Sequence, residues 1–308
     1  MKAIVTGGAG FIGSHIAELL VNKNYEVIII DNFATGRLEN LNKIKHKIKI
    51  VNESVCNYKK IEKIFKNVDY VFHLAALADI VPSIENPDIY YDINVTGTLN
   101  ILRASKKHNI KKVIYAASAS CYGVVKKFPT NEKNKIMTEY PYALTKNLGE
   151  QLMVHWSKVF NLSTISLRLF NVYGLRSRTT GAYGAMFGVF LAQKINKKPF
   201  TIVGNGKQTR DFTYVTDVAN AFYLSSKSNI FHDIFNVGTG IPTSVNYIVK
   251  KLGGKKVFIA EGEYDAMICW QTLKEEFSRV NPTVLSISSG TANAVQNIGQ
   301  KQNMKLLK

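Results

Sequence analysis

Tyr142 and Lys146 stand four residues apart behind Pro141, a spacing that places a phenol and an ammonium on one face of a helix starting at that proline. A phenol ionises near pH ~10 in water, so it acts as a base at neutral pH only where a neighbouring cation stabilises the phenolate. Ser118, in the stretch YAASASCYG, adds a hydroxyl able to hold the same substrate oxygen and relay its proton. Together the three can take a proton from an alcohol while hydride leaves the same carbon. The Tyr-x-x-x-Lys spacing alone is weak in a chain with 15 tyrosines and 33 lysines. Its position after a predicted strand at 111–116, behind Ser118, gives it weight.

A hydride needs an acceptor, and the first residues provide for one. TGGAGFIG follows the first predicted strand and opens the first predicted helix, with Gly7, Gly10 and Gly13 at three-residue spacing. Glycines there let the backbone turn tightly against a pyrophosphate whose charge meets a helix N-terminus. The second predicted strand ends in Asp31, eighteen residues beyond Gly13, where a carboxylate suits the adenosine ribose hydroxyls. That carboxylate repels a 2′-phosphate and so favours NAD over NADP, with Arg37 as a softening influence.

Strands are predicted at 3–6, 26–30, 48–51, 69–73, 111–116 and 163–168, alternating with helices at 11–22, 57–66, 88–108 and 141–160. Continuous Ile and Val runs mark strands buried on both faces, and the right-handed crossover rule then leads to a doubly wound parallel α/β sheet of Rossmann type. Residues 1–180 are read as this domain. From residue 181 the rhythm becomes a helix at 183–196, strands near 200–203 and 211–214, a helix at 216–226, a strand at 234–237 and a helix at 243–252. Residues 181–254 are read as a smaller, incomplete substrate lobe interwoven with the first domain. After Gly253-Gly254 a strand at 256–260 and a helix at 264–278 start a third segment, 255–308.

The motifs TGGAGFIGSH, DNFATG, HLAA (73–76), NVTGTLNIL (94–102), YALTK, LRLFNVYG (167–174), GNGKQTRDFTYVTDVA (204–219) and NVGTG (236–240) occur in that order. With them the chain, over residues 1 to about 252, resembles the extended short-chain dehydrogenase/reductases of the NAD-dependent epimerase/dehydratase group, most of all the UDP-sugar 4-epimerases. The resemblance implies Ser118, Tyr142 and Lys146 as catalytic residues. It implies that Gly7, Gly10, Phe11, Ile12, Gly13, Asp31, Asn32 and the backbone of Leu74, Ala75 and Ala76 hold NAD together with Tyr142 and Lys146. It further implies that Ser118, Asn171 and Arg210 contact a nucleotide-diphosphate sugar, and that the helices at 88–108 and 141–160 pair in a homodimer. Dehydratases and decarboxylases of this group usually carry an acid two or three positions after the catalytic hydroxyl. Here Ala119, Ser120 and Cys121 follow Ser118, which favours epimerisation over a 4,6-dehydratase. Where the group usually has an Asp after the third strand, Ser54 stands instead.

Beyond Gly254 the group's diphosphate-clamping arginine segment is not found. KKVFIAEGEYDAMICWQTLKEEF and PTVLSISSGTANAVQN instead resemble the start of a Toprim domain of phage primase-helicases. Toprim chemistry needs a glutamate and a later Asp-x-Asp pair to share magnesium, but no aspartate follows Asp265, so Glu261 is expected to bind no metal. A truncated lobe implies impaired activity, with an inactive NAD-binding protein as the non-enzymatic reading.

The remaining composition is compatible with this. The net charge of +18 comes chiefly from dispersed lysines, which reads as a solvated surface and not as a nucleic-acid groove. Cys56, Cys121 and Cys269 form no ligand cluster. No apolar run reaches the ~20 residues of a membrane span, and no leader precedes the first strand, so a cytoplasmic protein is expected.

Overall fold

The Ile and Val runs become the inner strands of a parallel sheet. The computed structural model describes residues 1–125, 129–177 and 186–259. In chain order its elements are β1 (Lys2–Thr6), α1 (Phe11–Asn22), β2 (Glu26–Asp31), β3 (Ile48–Asn52), α2 (Tyr58–Ile61), β4 (Tyr70–His73), α3 (Ile80–Glu85), α4 (Pro87–Tyr91), α5 (Gly97–Lys107), β5 (Lys112–Ser118) and α6 (Pro141–Phe160). Then come β6 (Thr164–Leu169), β7 (Asn171–Tyr173), α7 (Met186–Ile195), β8 (Phe200–Val203), β9 (Thr209–Tyr214), α8 (Val215–Lys227), β10 (His232–Val237), β11 (Pro242–Ser244), α9 (Val245–Leu252) and β12 (Lys256–Ile259).

The first of two units comprises residues 1–170 and 215–237. Its seven-stranded sheet has the order β10-β6-β5-β4-β1-β2-β3, and every pairing is parallel. The chain runs outward from β1 to β3, then returns to β4 on the other side of β1. That reversal makes the carboxyl ends of β1 and β4 the switch point, where doubly wound sheets bind their ligands. The glycine loop leaves β1 there and HLAA leaves β4. Ile4, Ile28, Ile30, Val71, Val113 and Tyr115 of the sheet pack against Phe65, Ile101, Leu102 and Met153, forming a fully buried core.

Of the described residues, 171–177, 186–214 and 238–259 form the second unit. It holds a three-stranded sheet, β11-β9-β7, and a two-stranded one, β12-β8. Tyr173, Phe187, Phe190, Phe200, Phe212 and Ile248 supply its core.

Several sequence expectations are corrected. The helix at 216–226 and the strand at 234–237, grouped with the smaller lobe, lie in the first unit, because β10 extends the large sheet by pairing with β6, His232 opposite Thr164. Of the segment read as 255–308, only its first strand is described: β12 pairs in parallel with β8, Lys256 opposite Phe200, and Gly253 and Gly254 form the positive-φ turn that leads into it. The helix at 88–108 is two helices joined by one π turn at Asp92–Thr96. The helix at 57–66 shortens to α2 and a following 3-10 turn. Strands β7 and β11, three residues each, are too short to show a period and escape prediction. Glu261, Asp265 and the rest of the Toprim-like stretch lie outside the described residues.

Candidate active site

At the glycine loop, Gly7 adopts φ +65°, and a Cβ on it would come within 2.8 Å of the Ala75 nitrogen. A Cβ on Gly13 would lie 2.2 Å from the Gly7 carbonyl oxygen, so no larger residue lets α1 start this close to β1. Gly10 caps α1 without a side chain, and Phe11, Ile12 and their neighbours put no acid in the first turn. The first-turn N–H groups and the helix dipole therefore suit an anion.

Asp31 ends β2 almost fully buried. Its Oδ2 accepts the Ala9 N–H at 2.9 Å and its Oδ1 the Phe33 N–H at 2.8 Å. Burial raises the carboxyl pKa and these two bonds oppose it. Asn32 turns its own loop, accepting the Ala34 N–H at 3.2 Å, and Asn40 ties the Ala9 carbonyl at 2.8 Å. Each Asp31 oxygen keeps a lone pair for an outside hydroxyl.

Between β1 and β4 runs a buried relay. Thr6 Oγ1 accepts the N–H groups of Leu74 and Ala75 at 3.1 and 3.2 Å and lies 2.7 Å from His73 Nδ1. His73 Nε2 lies 2.9 Å from Thr98 Oγ1, whose own proton goes to the Asn94 carbonyl at 2.6 Å. Thr98 must therefore accept from His73 Nε2–H, which leaves Nδ1 to accept from the Thr6 hydroxyl: the ring is neutral and its tautomer is set. Burial, with Lys146 nearby, holds the His73 pKa down to about 3. Because the N–H groups of Leu74 and Ala75 point inward, these residues and Ala76 can offer a dinucleotide carbonyl oxygens and side chains.

Asn94 extends the relay to α6. Its Oδ1 accepts the Leu77 N–H at 2.8 Å, and its Nδ2 donates to the Leu77 carbonyl and to Thr145 Oγ1, both at 3.0 Å. Thr145 in turn donates to the Tyr142 carbonyl, and Ser83 of α3 accepts the Tyr142 N–H at 3.1 Å. The π turn carries Asn94, a placement such turns often serve.

Ser118 is the last residue of β5. Its Oγ accepts the Ser120 N–H at 3.2 Å and lies 2.8 Å from Ser120 Oγ. Tyr142 lies in the first turn of α6, with its phenol near enough to Ser118 for that hydroxyl to favour the phenolate. Burial pushes the Tyr142 phenol up to about 12, and Ser118 acts against that rise. Lys146 follows one turn later, 4% exposed, with burial drawing its pKa down to about 7 while Glu150 acts to raise it. Its Nζ stands 4.4 Å from the centre of the Tyr115 ring. The fold thus brings the predicted phenol and serine together, with the lysine one turn along the same helix.

One further turn along α6, Glu150 meets Arg168 of β6 in a buried bidentate pair, at 2.6 and 2.8 Å. Arg168 also donates to Tyr122 Oη at 2.7 Å and to the Glu132 carbonyl at 3.1 Å. Tyr122 passes its proton to Asn236 Oδ1 at 2.7 Å.

In the second unit Asn171 opens β7, with Nδ2 3.4 Å from the Asp211 carbonyl, and Arg210 lies in β9 with its guanidinium on the Thr209 carbonyl. The Asp211 carboxylate accepts the Thr239 N–H and hydroxyl and the Gly240 N–H, at 2.7 to 2.8 Å.

The model of the NAD-dependent epimerase/dehydratase family matches residues 3–238. The chain belongs to that family. A putative UDP-glucose 4-epimerase of Methanocaldococcus jannaschii is 40% identical over 264 residues, which are 85% of each chain. A UDP-glucuronate 4-epimerase of Thermodesulfobacterium geofontis is 32% identical across 99% of this chain and 98% of its own. Among solved structures, UDP-glucose 4-epimerase of Thermotoga maritima with UDP-glucose superposes with a TM-score of 0.80 at 33% identity, over 86% of this chain and 88% of that one.

NAD is the cofactor of this epimerase/dehydratase family member, and the site fits it. The side-chain-free cap of α1 suits the pyrophosphate, and Asp31 suits two free ribose hydroxyls where a 2′-phosphate would meet a carboxylate. Ser54 is occupied locally, its Oγ accepting the Cys56 N–H at 3.2 Å. Among the described residues no His, Cys, Asp and Glu group could hold a metal ion, and no helix is long and apolar enough to cross a membrane. Sequence reasoning missed Thr6, Ser83, Asn94, Thr98, Thr145, Tyr115, Glu150 and Arg168 as site residues. The available signal was polarity out of place, such as a histidine ending the apolar strand YVFH and an asparagine opening NVTGTLNIL.

Proposed function

We propose that the chain is an NAD-dependent nucleotide-sugar 4-epimerase of the UDP-glucose or UDP-N-acetylglucosamine type, working through a 4-keto sugar. The observation that carries this is the approach of the Tyr142 phenol to Ser118 at the end of β5, with Lys146 one turn along α6 and no carboxylate in Ala119–Cys121. Its similarity to a putative UDP-glucose 4-epimerase and to a UDP-glucuronate 4-epimerase supports it.

Bound NAD would supply the hydride acceptor, the source of the returning hydride and a positively charged ring. Tyr142 Oη takes the proton of the carbon-4 hydroxyl as hydride leaves that carbon. A phenol held near 12 by burial does this only with help, and the Lys146 ammonium provides it by stabilising the phenolate. Ser118 holds the same oxygen: its Oγ accepts from Ser120, so its own proton is free to donate to the developing charge. Once the keto sugar has turned its other face, Tyr142 would return the proton to the carbon-4 oxygen. Asn171 and Arg210 are proposed to hold the diphosphate, for which an arginine fork is suited. Exposed Ile89, Tyr91 and Leu144 on α4 and α6 support a homodimer through the helices at 88–108 and 141–160.

The test is incubation of purified protein and NAD with UDP-glucose, UDP-N-acetylglucosamine and UDP-glucuronate, with products identified by NMR. A 4-epimer is expected. A 4-keto-6-deoxy product would reassign the chain as a dehydratase, and bound NAD without turnover would make it an inactive binding protein.

A further inference from the structure

The ammonium of Lys146 is buried at a place where its obvious counter-ion is already spent. Glu150, one turn away on α6, gives both carboxylate oxygens to Arg168, at 2.6 and 2.8 Å. Burial drives an ammonium toward its neutral form unless its surroundings stabilise the charge. What faces it is an aromatic surface: Nζ stands 4.4 Å from the centre of the Tyr115 ring, well within cation–π range.

Two further contacts hold that ring. Tyr115 is 1% exposed, and its hydroxyl donates to the Lys146 carbonyl at 3.3 Å, fastening the ring to the helix turn whose side chain it supports. Gly149 makes room for it: a Cβ at 149 would lie 2.3 Å from Tyr115 Oη and 2.8 Å from Cζ. A glycine inside a helix costs about 1 kcal/mol relative to alanine. Here it lets a tyrosine lie flat beneath the lysine.

We propose that Tyr115 is a positioning residue for Lys146: its ring face keeps the buried ammonium protonated and fixed beside Tyr142, and Gly149 is the vacancy that admits the ring. This rests on the reading of Lys146 as an NAD ligand and partner of Tyr142. The other titratable and charged groups near Lys146 are accounted for. His73 of β4 is neutral, its ring 5.6 Å from that of Tyr115. Tyr142 is a neutral phenol at rest, Glu150 is paired with Arg168, and Tyr115 is kept protonated by burial. The ring's contribution therefore shows in the protonation of Lys146.

The experiment titrates NAD calorimetrically from pH 5 to pH 9 and follows the pH profile of turnover in parallel. The native basic limb should fall near the Lys146 pKa of about 7. Tyr115→Leu removes a stabiliser of the cation, so that limb should move to lower pH by about 0.5 to 1.5 units, in NAD affinity as in turnover. Tyr115→Phe keeps the ring and should stay with the native protein. Gly149→Ala displaces the ring and should move with Tyr115→Leu; if Tyr115→Leu fails to fold, the limb of Gly149→Ala decides between the outcomes. An unmoved limb in a folded Tyr115→Leu protein, or an equal shift in Tyr115→Phe, overturns the proposal. Lys146→Ala separates the two levels: if it leaves NAD affinity and turnover unchanged, the underlying reading of the site is wrong, whereas its loss beside an unshifted Tyr115→Leu refutes only the role of Tyr115.

Discussion

The backbone N–H of Ala9 donates to the Oδ2 of Asp31 across 2.9 Å, tying the phosphate loop to the end of β2. One side chain thus shapes the loop proposed to meet the pyrophosphate and presents the acceptor proposed for the ribose. Gly36 closes over the same carboxylate, since a Cβ there would lie 2.9 Å from either oxygen.

Asp31→Ala should therefore weaken NAD by about 10- to 100-fold, the loss of charge-assisted hydrogen bonds to two hydroxyls. It should also narrow the preference for NAD over NADP, because the carboxylate that repels a 2′-phosphate is gone. Calorimetric titration with both dinucleotides checks this. An unchanged NAD affinity with an intact thermal transition would remove Asp31 from the binding site.

Tyr142→Phe deletes the proposed proton acceptor and keeps the ring. Turnover should fall by about 10²- to 10⁴-fold, the range of a positioned acid–base group. NAD affinity and thermal stability should change little, because the Tyr142 backbone, held by Ser83 and Thr145, does not need the hydroxyl. Steady-state kinetics beside NAD titration separate the two effects, and comparable turnover in the variant would assign the base elsewhere.

What the sequence made legible follows from where local signals are strong. The glycine loop and Asp31 could be read because a strand, a tight turn, a helix start and a strand-end acid must follow at fixed spacing. Tyr142 and Lys146 could be read because a helix fixes their common face. Ser83, Asn94 and Thr98 could not, since their roles arise from pairings between segments up to 59 residues apart, which only the folded sheet brings together. The same limit explains β10. A strand at 234–237 is visible locally, yet its place beside β6 depends on tertiary pairing, so local pattern alone puts it in the wrong unit.

The buried pair of Glu150 and Arg168 predicts an asymmetric mutational response. Removing one member leaves the other charged and desolvated, so Glu150→Leu or Arg168→Met alone should cost about 3 to 5 kcal/mol of stability. The double replacement leaves no stranded charge and should recover much of that loss. Tyr122 and the Glu132 carbonyl would still lose their donor, so recovery should be incomplete. Urea unfolding of the three variants gives the coupling energy directly, and additive losses would show that the pair acts as two independent contacts.

His73 makes stability depend on acid in a calculable direction. The ring has an ordinary pKa of 6.5 in the unfolded chain and about 3 in the folded one, held down by burial and by Lys146. Between those values the unfolded state binds the proton and the native state does not, so stability rises with pH across this window and is lost as pH falls from 6.5 toward 3. The full effect is on the order of 5 kcal/mol, reached only when both values have been passed. Urea midpoints measured from pH 7 to pH 4 should fall steadily. In His73→Asn the missing titration should flatten that slope, although the variant starts lower because Thr6 and Thr98 lose their partner. Native and variant curves should thus converge toward pH 4, and curves that ran parallel would show that the ring is already protonated within the fold.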